Sequence, residues 1–253
     1  MKNKKLKASL SITGYVLLVL ALCFVGAFVF HSYYYELVYV SGASMAPTLN
    51  GGDKDEGEHG AKVDFGIVDP HQSAINHIKR FDIISTYYPY TDNYTKDYTQ
   101  DGSLKRTATK KIKRVIAMPN ETFIIKDGLL SVKDGGEFKE VKNQPIFTST
   151  TTKDTLSPIT LGENEYWVLG DNRANSTDCA SIGKPITKKN IAGVLVAIEG
   201  KAELKLKKYV CSQCGHSQST NDYCHNQKCG AGKANLMPEY GLTKKQYHWP
   251  KFF

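Results

Sequence analysis

Residues 8–30 carry no charged side chain, and no other feature limits the possible architecture as strongly. As a helix rising about 1.5 Å per residue they span roughly 35 Å, enough to cross a bilayer core with some tilt. Lys2, Lys4, Lys5 and Lys7 precede the run, and Tyr33, Tyr34 and Tyr35 follow it. Lysines mark the cytoplasmic end of such a span, and tyrosines suit the opposite interface. The pattern predicts a short basic cytoplasmic segment (1–7), a transmembrane helix (8–30) and an extracytoplasmic remainder. A cleaved signal peptide is the alternative, because Val25-Gly26-Ala27 offers small residues at a plausible cut. Against it, the run continues through Phe28-Val29-Phe30, which is long for a signal's apolar region. Both readings export the chain.

The remaining length can bury one substantial core and a small appendage. The formal net charge is +8, but four cations sit in the first seven residues and no helix-sized basic stripe follows. Nucleic acid is therefore not an expected partner. Runs at 36–40, 63–68, 81–87, 110–119, 165–169 and 191–199 read as strands, and Asp127-Gly128 joins two more as a hairpin. Polar stretches at 54–62, 88–103 and 141–158 read as loops. No sustained helical period appears after residue 31, so residues 31–200 are expected to form a mostly β domain of antiparallel sheets.

Ser44 stands among small residues in Ser41-Gly42-Ala43-Ser44-Met45-Ala46-Pro47, just before a proline-enforced bend. A serine hydroxyl becomes a nucleophile only when a base takes its proton. His71, His77, a carboxylate, or a lysine made neutral by burial could serve, and Lys113, within an apolar strand, is the best placed of these. Residue chemistry alone leaves the blander reading in place, since a strand lysine ordinarily faces solvent.

Three separated stretches change that balance. Ser44-Met45-Ala46-Pro47-Thr48-Leu49, Lys113-Arg114-Val115-Ile116-Ala117-Met118-Pro119 and Gly170-Asp171-Asn172-Arg173-Ala174-Asn175-Ser176-Thr177-Asp178 resemble, in order and spacing, the motifs of bacterial type I signal peptidases. Arg80-Phe81-Asp82-Ile83-Ile84 resembles a fourth, weaker motif, and the resemblance extends to about residue 198. It implies a membrane-anchored serine endopeptidase that removes signal peptides from exported preproteins without a metal or other cofactor in catalysis. Ser44 would be the nucleophile and Lys113 the general base. Ser176 would orient the lysine, and Asp178 would brace the loop. The backbone N–H of Ser44 would hold the oxyanion, and Met45 and Ile112 would wall the pockets for small substrate residues. Preprotein signal peptides and membrane lipid are the implied partners, and association with the secretion machinery is left open.

The chain also departs from the family pattern. Gly42 stands where some members have a serine and others a glycine, while Asn120-Glu121 replaces a usual Gly-Asp. Cys179-Ala180 replaces a common Ser-Arg, which removes the arginine expected to pair with Asp178. Lys184 is a candidate replacement.

From residue 201 the composition changes to a basic linker and a polar tail holding Cys211, Cys214, Cys224 and Cys229. Their Cys-x2-Cys-Gly and Cys-x4-Cys-Gly spacing suits two knuckles of a zinc ribbon with one structural zinc ion. Two disulfides are the alternative, favoured by an oxidising compartment. Cys23 and Cys179 are expected to be unpaired. Two rivals to the peptidase reading remain. One is a self-cleaving regulatory protease with the same dyad; the other is a catalytically inert membrane-anchored binding module that recruits a partner through its four-cysteine tail.

Overall fold

The computed structural model describes residues 2–52, 61–89, 98, 103–105, 108–145 and 156–253. Most of the loops expected at 54–62 and 88–103, and residues 146–155 of the connection at 141–158, lie outside these residues. In chain order, α1 (Lys2–Tyr34) is followed by β1 (Glu36–Tyr39), β2 (Lys62–Asp69), α2 (Gln72–Asn76), β3 (Ile83–Thr86) and β4 (Lys111–Ala117). Next come β5 (Thr122–Lys126), β6 (Leu129–Asp134), β7 (Glu137–Glu140), β8 (Leu156–Thr160) and β9 (Glu165–Leu169). The chain ends with α3 (Cys179–Ile182), β10 (Ile186–Thr187), β11 (Ile191–Cys211), β12 (Ser217–Gln218) and β13 (Leu236–Phe252).

Two units result, Met1–Glu36 and Leu37–Phe253. The first is α1, whose Thr13–Tyr34 portion has a mean hydropathy of 2.4 and is long and apolar enough to cross a membrane. Its helical backbone extends past both ends of the expected 8–30 span, because the flanking residues include no proline and the lysines before it are good helix formers.

The second unit is antiparallel β. One nine-stranded sheet has the order β1-β2-β11-β3-β4-β9-β10, with β12 and β13 also paired to β11. A four-stranded sheet has the order β7-β6-β5-β8. The expected hairpin forms as β5 and β6, with Lys126 opposite Leu129 across a two-residue loop. Ile84, Val115, Phe123, Trp167 and Leu169 belong to the larger core. Val40, Met45, Leu49, Ile83, Leu195 and Ile198 form a second cluster directly beneath the serine bend.

The basic linker expected from residue 201 is instead sheet. β11 continues unbroken to Cys211, with β2 paired along residues 194–203 and β13 along residues 197–211. Residues 201–206 alternate, so that Ala202 and Leu204 point into the core while Lys201 and Lys205 are exposed. Period-two alternation satisfies a half-buried strand whatever the charge of its outer face.

Candidate active site

β1 leads into the serine through a bend at Gly42, whose φ of 81° lies in the left-handed region that favours glycine. The Gly42 amide donates to the Gly51 carbonyl at 2.9 Å, closing this bend. Ser44 then sits in a single 3₁₀ turn, Ala43–Met45, and the leading amides of such a turn have no partner within it. The neighbouring Met45 is only 1% exposed and anchors the turn in the second core cluster. Burial of Met45 therefore fixes where the adjacent hydroxyl is presented.

Lys113 reaches the same point from β4. Its Nζ lies 2.8 Å from Ser44 Oγ, although 69 positions separate the two residues, and it also donates to the Ile112 carbonyl at 2.9 Å. The lysine is 4% exposed. Its pKa is lowered from 10.5 to about 8, chiefly by burial, which penalises the ammonium form. The charge of Asp178 opposes the shift, Lys111 adds to it, and Asp171 and Cys179 oppose it more weakly. Neither aspartate makes a salt bridge to this lysine among the described residues.

The loop after β9 closes the far side. A Cβ on Gly170 would fall 2.3 Å from Ser176 Oγ and 2.5 Å from the Ser44 carbonyl oxygen, so only a glycine lets the loop approach the serine turn. The Asn172 amide donates to that same Ser44 carbonyl at 3.0 Å. Asp171 accepts from Thr48 Oγ1 at 2.6 Å, which ties the loop to the serine segment a second time. Asp171 also receives two hydrogen bonds from Arg114, Nε at 2.8 Å and Nη2 at 2.6 Å. This fork joins β4 to the loop.

Asp178 has a cation after all, and it is neither the missing downstream arginine nor Lys184, which is exposed. Arg173 Nη1 donates to Asp178 Oδ2 at 3.0 Å, with both side chains at least 98% buried. The Gly170 amide donates to the same oxygen at 3.0 Å, and the Ala180 amide donates to Oδ1 at 3.2 Å. The expected partner lies downstream of Asp178, whereas the 3₁₀ turn at Arg173–Asn175 folds the motif's own arginine back onto it. Ser176 is 7% exposed, and its buried Oγ has no hydrogen-bond partner among the described residues. The expected Ser176–Lys113 hydrogen bond is not formed, since the lysine is turned to Ser44 and the Ile112 carbonyl.

Ser44, Lys113 and Ser176 share one cleft of about 740 Å³, which Met45 and Ile112 also line. Asp178 lies behind it. His71 and His77 do not reach it; His71 Nδ1 contacts Asp69 at 2.8 Å and His77 Nδ1 contacts the Ser73 carbonyl at 2.7 Å.

The four tail cysteines form a separate centre. Their sulfur atoms lie within 4.8 Å of one another, with Cys211 to Cys229 at 3.7 Å and Cys214 to Cys224 at 3.5 Å. Thiolates about 2.3 Å from a tetrahedral zinc ion stand roughly 3.8 Å apart, so the donor set fits such an ion. His225 is turned instead to Asp222, at 3.1 Å. All six cysteines are free thiols, and Cys179 is buried against β9 with its Sγ accepting from the Val168 amide at 3.4 Å.

The family described as signal peptidase, peptidase S26, matches residues 12–198, about three-quarters of the chain. Signal peptidase I V of Bacillus subtilis (strain 168) is 38% identical over 92 residues, covering 33% of this chain and 54% of that protein. Signal peptidase I of Bacillus licheniformis is 26% identical over 196 residues, covering 76% of this chain and 88% of that protein. The chain thus spans about half the length of the first of these relatives and most of the second. A crystal structure of a signal peptidase I from Enterococcus faecalis V583 is 27% identical, with a TM-score of 0.31, and its alignment covers 47% of this chain and 96% of that one. The chain belongs to the signal peptidase family, peptidase S26.

Proposed function

We propose that this protein is a membrane-anchored serine endopeptidase that cuts signal peptides from exported preproteins with a Ser44/Lys113 dyad. The observation that carries the reading is the 2.8 Å contact between Nζ of the buried Lys113 and Oγ of the half-buried Ser44 in the cleft. With its pKa near 8, roughly a tenth of the lysine is neutral at pH 7 and able to accept a proton.

In that state the Ser44 O–H donates to Nζ. The amine takes the proton as Oγ attacks the scissile carbonyl carbon, and the Ser44 amide, in the first turn of a 3₁₀ segment, would receive the resulting oxyanion. Collapse breaks the C–N bond, and the lysine ammonium returns the proton to the leaving amine. A water molecule, deprotonated by the same lysine, then hydrolyses the Ser44 ester. The unpaired Ser176 hydroxyl is suited to receive a hydrogen bond from Nζ once the amine is protonated. Arg173 and Asp178 hold the loop that carries it.

The lysines at the start of α1, ahead of its apolar portion, support an N-terminus in the cytoplasm and a catalytic unit outside. Preproteins emerge there with the signal still in the bilayer. The sulfur geometry supports one structural zinc ion held by Cys211, Cys214, Cys224 and Cys229, none of which lines the Ser44 cleft. The inert-module alternative is less well supported, because a lysine buried against a serine has a destabilising charge that a mere binding scaffold does not need.

The test is cleavage of a preprotein with small residues at the first and third positions before the cut. Wild type is expected to cut it, whereas Ser44→Ala and Lys113→Ala are expected to be inactive yet folded. Appreciable cutting by either variant would exclude the dyad.

A further inference from the structure

The peptidase S26 match ends at residue 198, yet the cleft is not built from the matched residues alone. Met237, Pro238 and Tyr240, all on β13, line the same cleft as Ser44 and Lys113. Pro238 is exposed, and Met237 and Tyr240 are half-buried. Their apolar surface is thus only partly used by the protein's own packing. Tyr240 leans on the small cluster of Ala61, Val63 and Leu204, together with Tyr39 of β1.

The position of this wall depends on the cysteine centre. Leu236, one residue before Met237, is 5% exposed and packs in the cluster of Cys211, Cys224 and Ala231. Across the ladder Cys211 pairs with Leu236, Val210 with Met237 and Tyr209 with Pro238. The Ser212 amide donates to the Asn235 carbonyl at 2.8 Å, joining the first knuckle to the start of β13. That cluster consists largely of the cysteine side chains themselves, too little apolar surface to hold a strand end by burial alone. A cation binding the four sulfurs would crosslink the strand carrying Cys211 to the segment that ends in Leu236.

We infer that Met237, Pro238 and Tyr240 are substrate-specificity residues, forming an apolar wall for an extended peptide lying in the Ser44 cleft, and that metal in the four-cysteine centre sets the position of this wall. The occupant follows from the surroundings. Among the described residues β1 is an edge strand of the large sheet, and Tyr39, Val40 and Ser41 line the cleft leading to Ser44. An edge strand gives an incoming peptide backbone a ladder to pair with, while flanking pockets select its side chains. A methionine, a proline and a tyrosine select an apolar side chain, over and above any small residues required at the cut. The inference deepens the peptidase reading and rests on it, so its test separates peptide binding from cleavage.

The full-length protein in detergent micelles is compared in four forms, all on an inert Ser44→Ala background. These are the intact tail, Met237→Ala/Tyr240→Ala, Cys214→Ser/Cys229→Ser, and Lys245→Ala as a surface control. The probe is a fluorescent extended peptide with small residues flanking the cut and one apolar side chain nearby, with anisotropy giving Kd. Zinc content is measured on each form. The expected result is a Kd weakened about five- to tenfold by Met237→Ala/Tyr240→Ala with the zinc retained. A comparable weakening is expected from Cys214→Ser/Cys229→Ser with the zinc lost, and no change from Lys245→Ala.

A peptide carrying alanine in place of its apolar residue should bind all four forms alike. With Ser44 restored, the same double alanine substitution should raise KM and leave kcat within about twofold. An unchanged Kd in the Met237→Ala/Tyr240→Ala form, or no peptide binding to the intact tail, would overturn the inference. An unchanged Kd after zinc loss would overturn its metal half. Failure of the Ser44-containing protein to cut, with these Kd shifts intact, would instead count against the peptidase reading.

Discussion

Lys113 and Arg114 are consecutive residues of β4, both almost fully buried, and they meet opposite fates. Neighbours on a strand face opposite ways. Arg114 turns to Asp171 and makes a two-pronged ion pair, with a further bond from Nη1 to the Phe81 carbonyl at 2.8 Å. Lys113 turns to a serine hydroxyl and a carbonyl and forms no ion pair among the described residues. Burial beside a carboxylate makes the arginine a brace between β4 and the loop; burial without one weakens the lysine's hold on its proton, as the proposed role of base requires. The choice of side chain matches, since an ammonium loses its proton readily when desolvated and a guanidinium does not.

Lys113→Arg tests the contrast most severely, because it keeps the positive charge and removes the capacity to accept a proton. Cleavage should fall at least about a thousandfold, as for loss of a nucleophile's base, in a protein that still unfolds cooperatively. On the brace side, Asp171→Asn leaves Arg114 buried without its counter-charge, and urea unfolding should show a loss of about 3–5 kcal/mol. Lys113→Met should act in the opposite direction from Asp171→Asn.

The sign of that last effect depends on pH. The folded-state pKa of Lys113, about 8, lies below its ordinary 10.5, so between these values the unfolded chain binds more protons and stability rises with pH. Below pH 8 the burial cost is fully present, and Lys113→Met should there be the more stable protein by up to about 3 kcal/mol. Its advantage should shrink from pH 8 to 10.5, as read by parallel denaturation curves. Ser176→Ala is expected to have the smallest effect, a loss in kcat of roughly tenfold with KM little changed, from the removal of one hydrogen bond to a charged amine.

Much of this was legible in the residues. The run at 8–30, the hairpin at Asp127-Gly128 and the strands around Lys113 follow from hydropathy, turn chemistry and periodicity. The convergence of Ser44, Lys113 and Ser176 came only from the motif resemblance, because no local pattern reveals a contact between residues 69 positions apart. The Arg173–Asp178 pair is not legible in the residues, because the family pattern points to a cation after the aspartate while a 3₁₀ turn brings one from five positions before it. The lysines of residues 201–208 suggest a linker, although Ala202, Leu204 and Leu206 alternate with charged residues as a strand requires. β13 is the least legible element. Most of its side chains are exposed, so it carries little burial pattern, and its order comes from pairing with β11. The same feature hid Met237 and Tyr240 from a reading based on motifs.

The central claim is that burial makes Lys113 the base for Ser44, and the pH dependence of kcat/KM on a preprotein addresses it most directly. With a substrate that does not titrate between pH 6 and 10, the rate should climb about tenfold per unit at low pH and level off through an apparent pKa near 8. A profile flat across that range, or one still climbing steeply at pH 10, would contradict it.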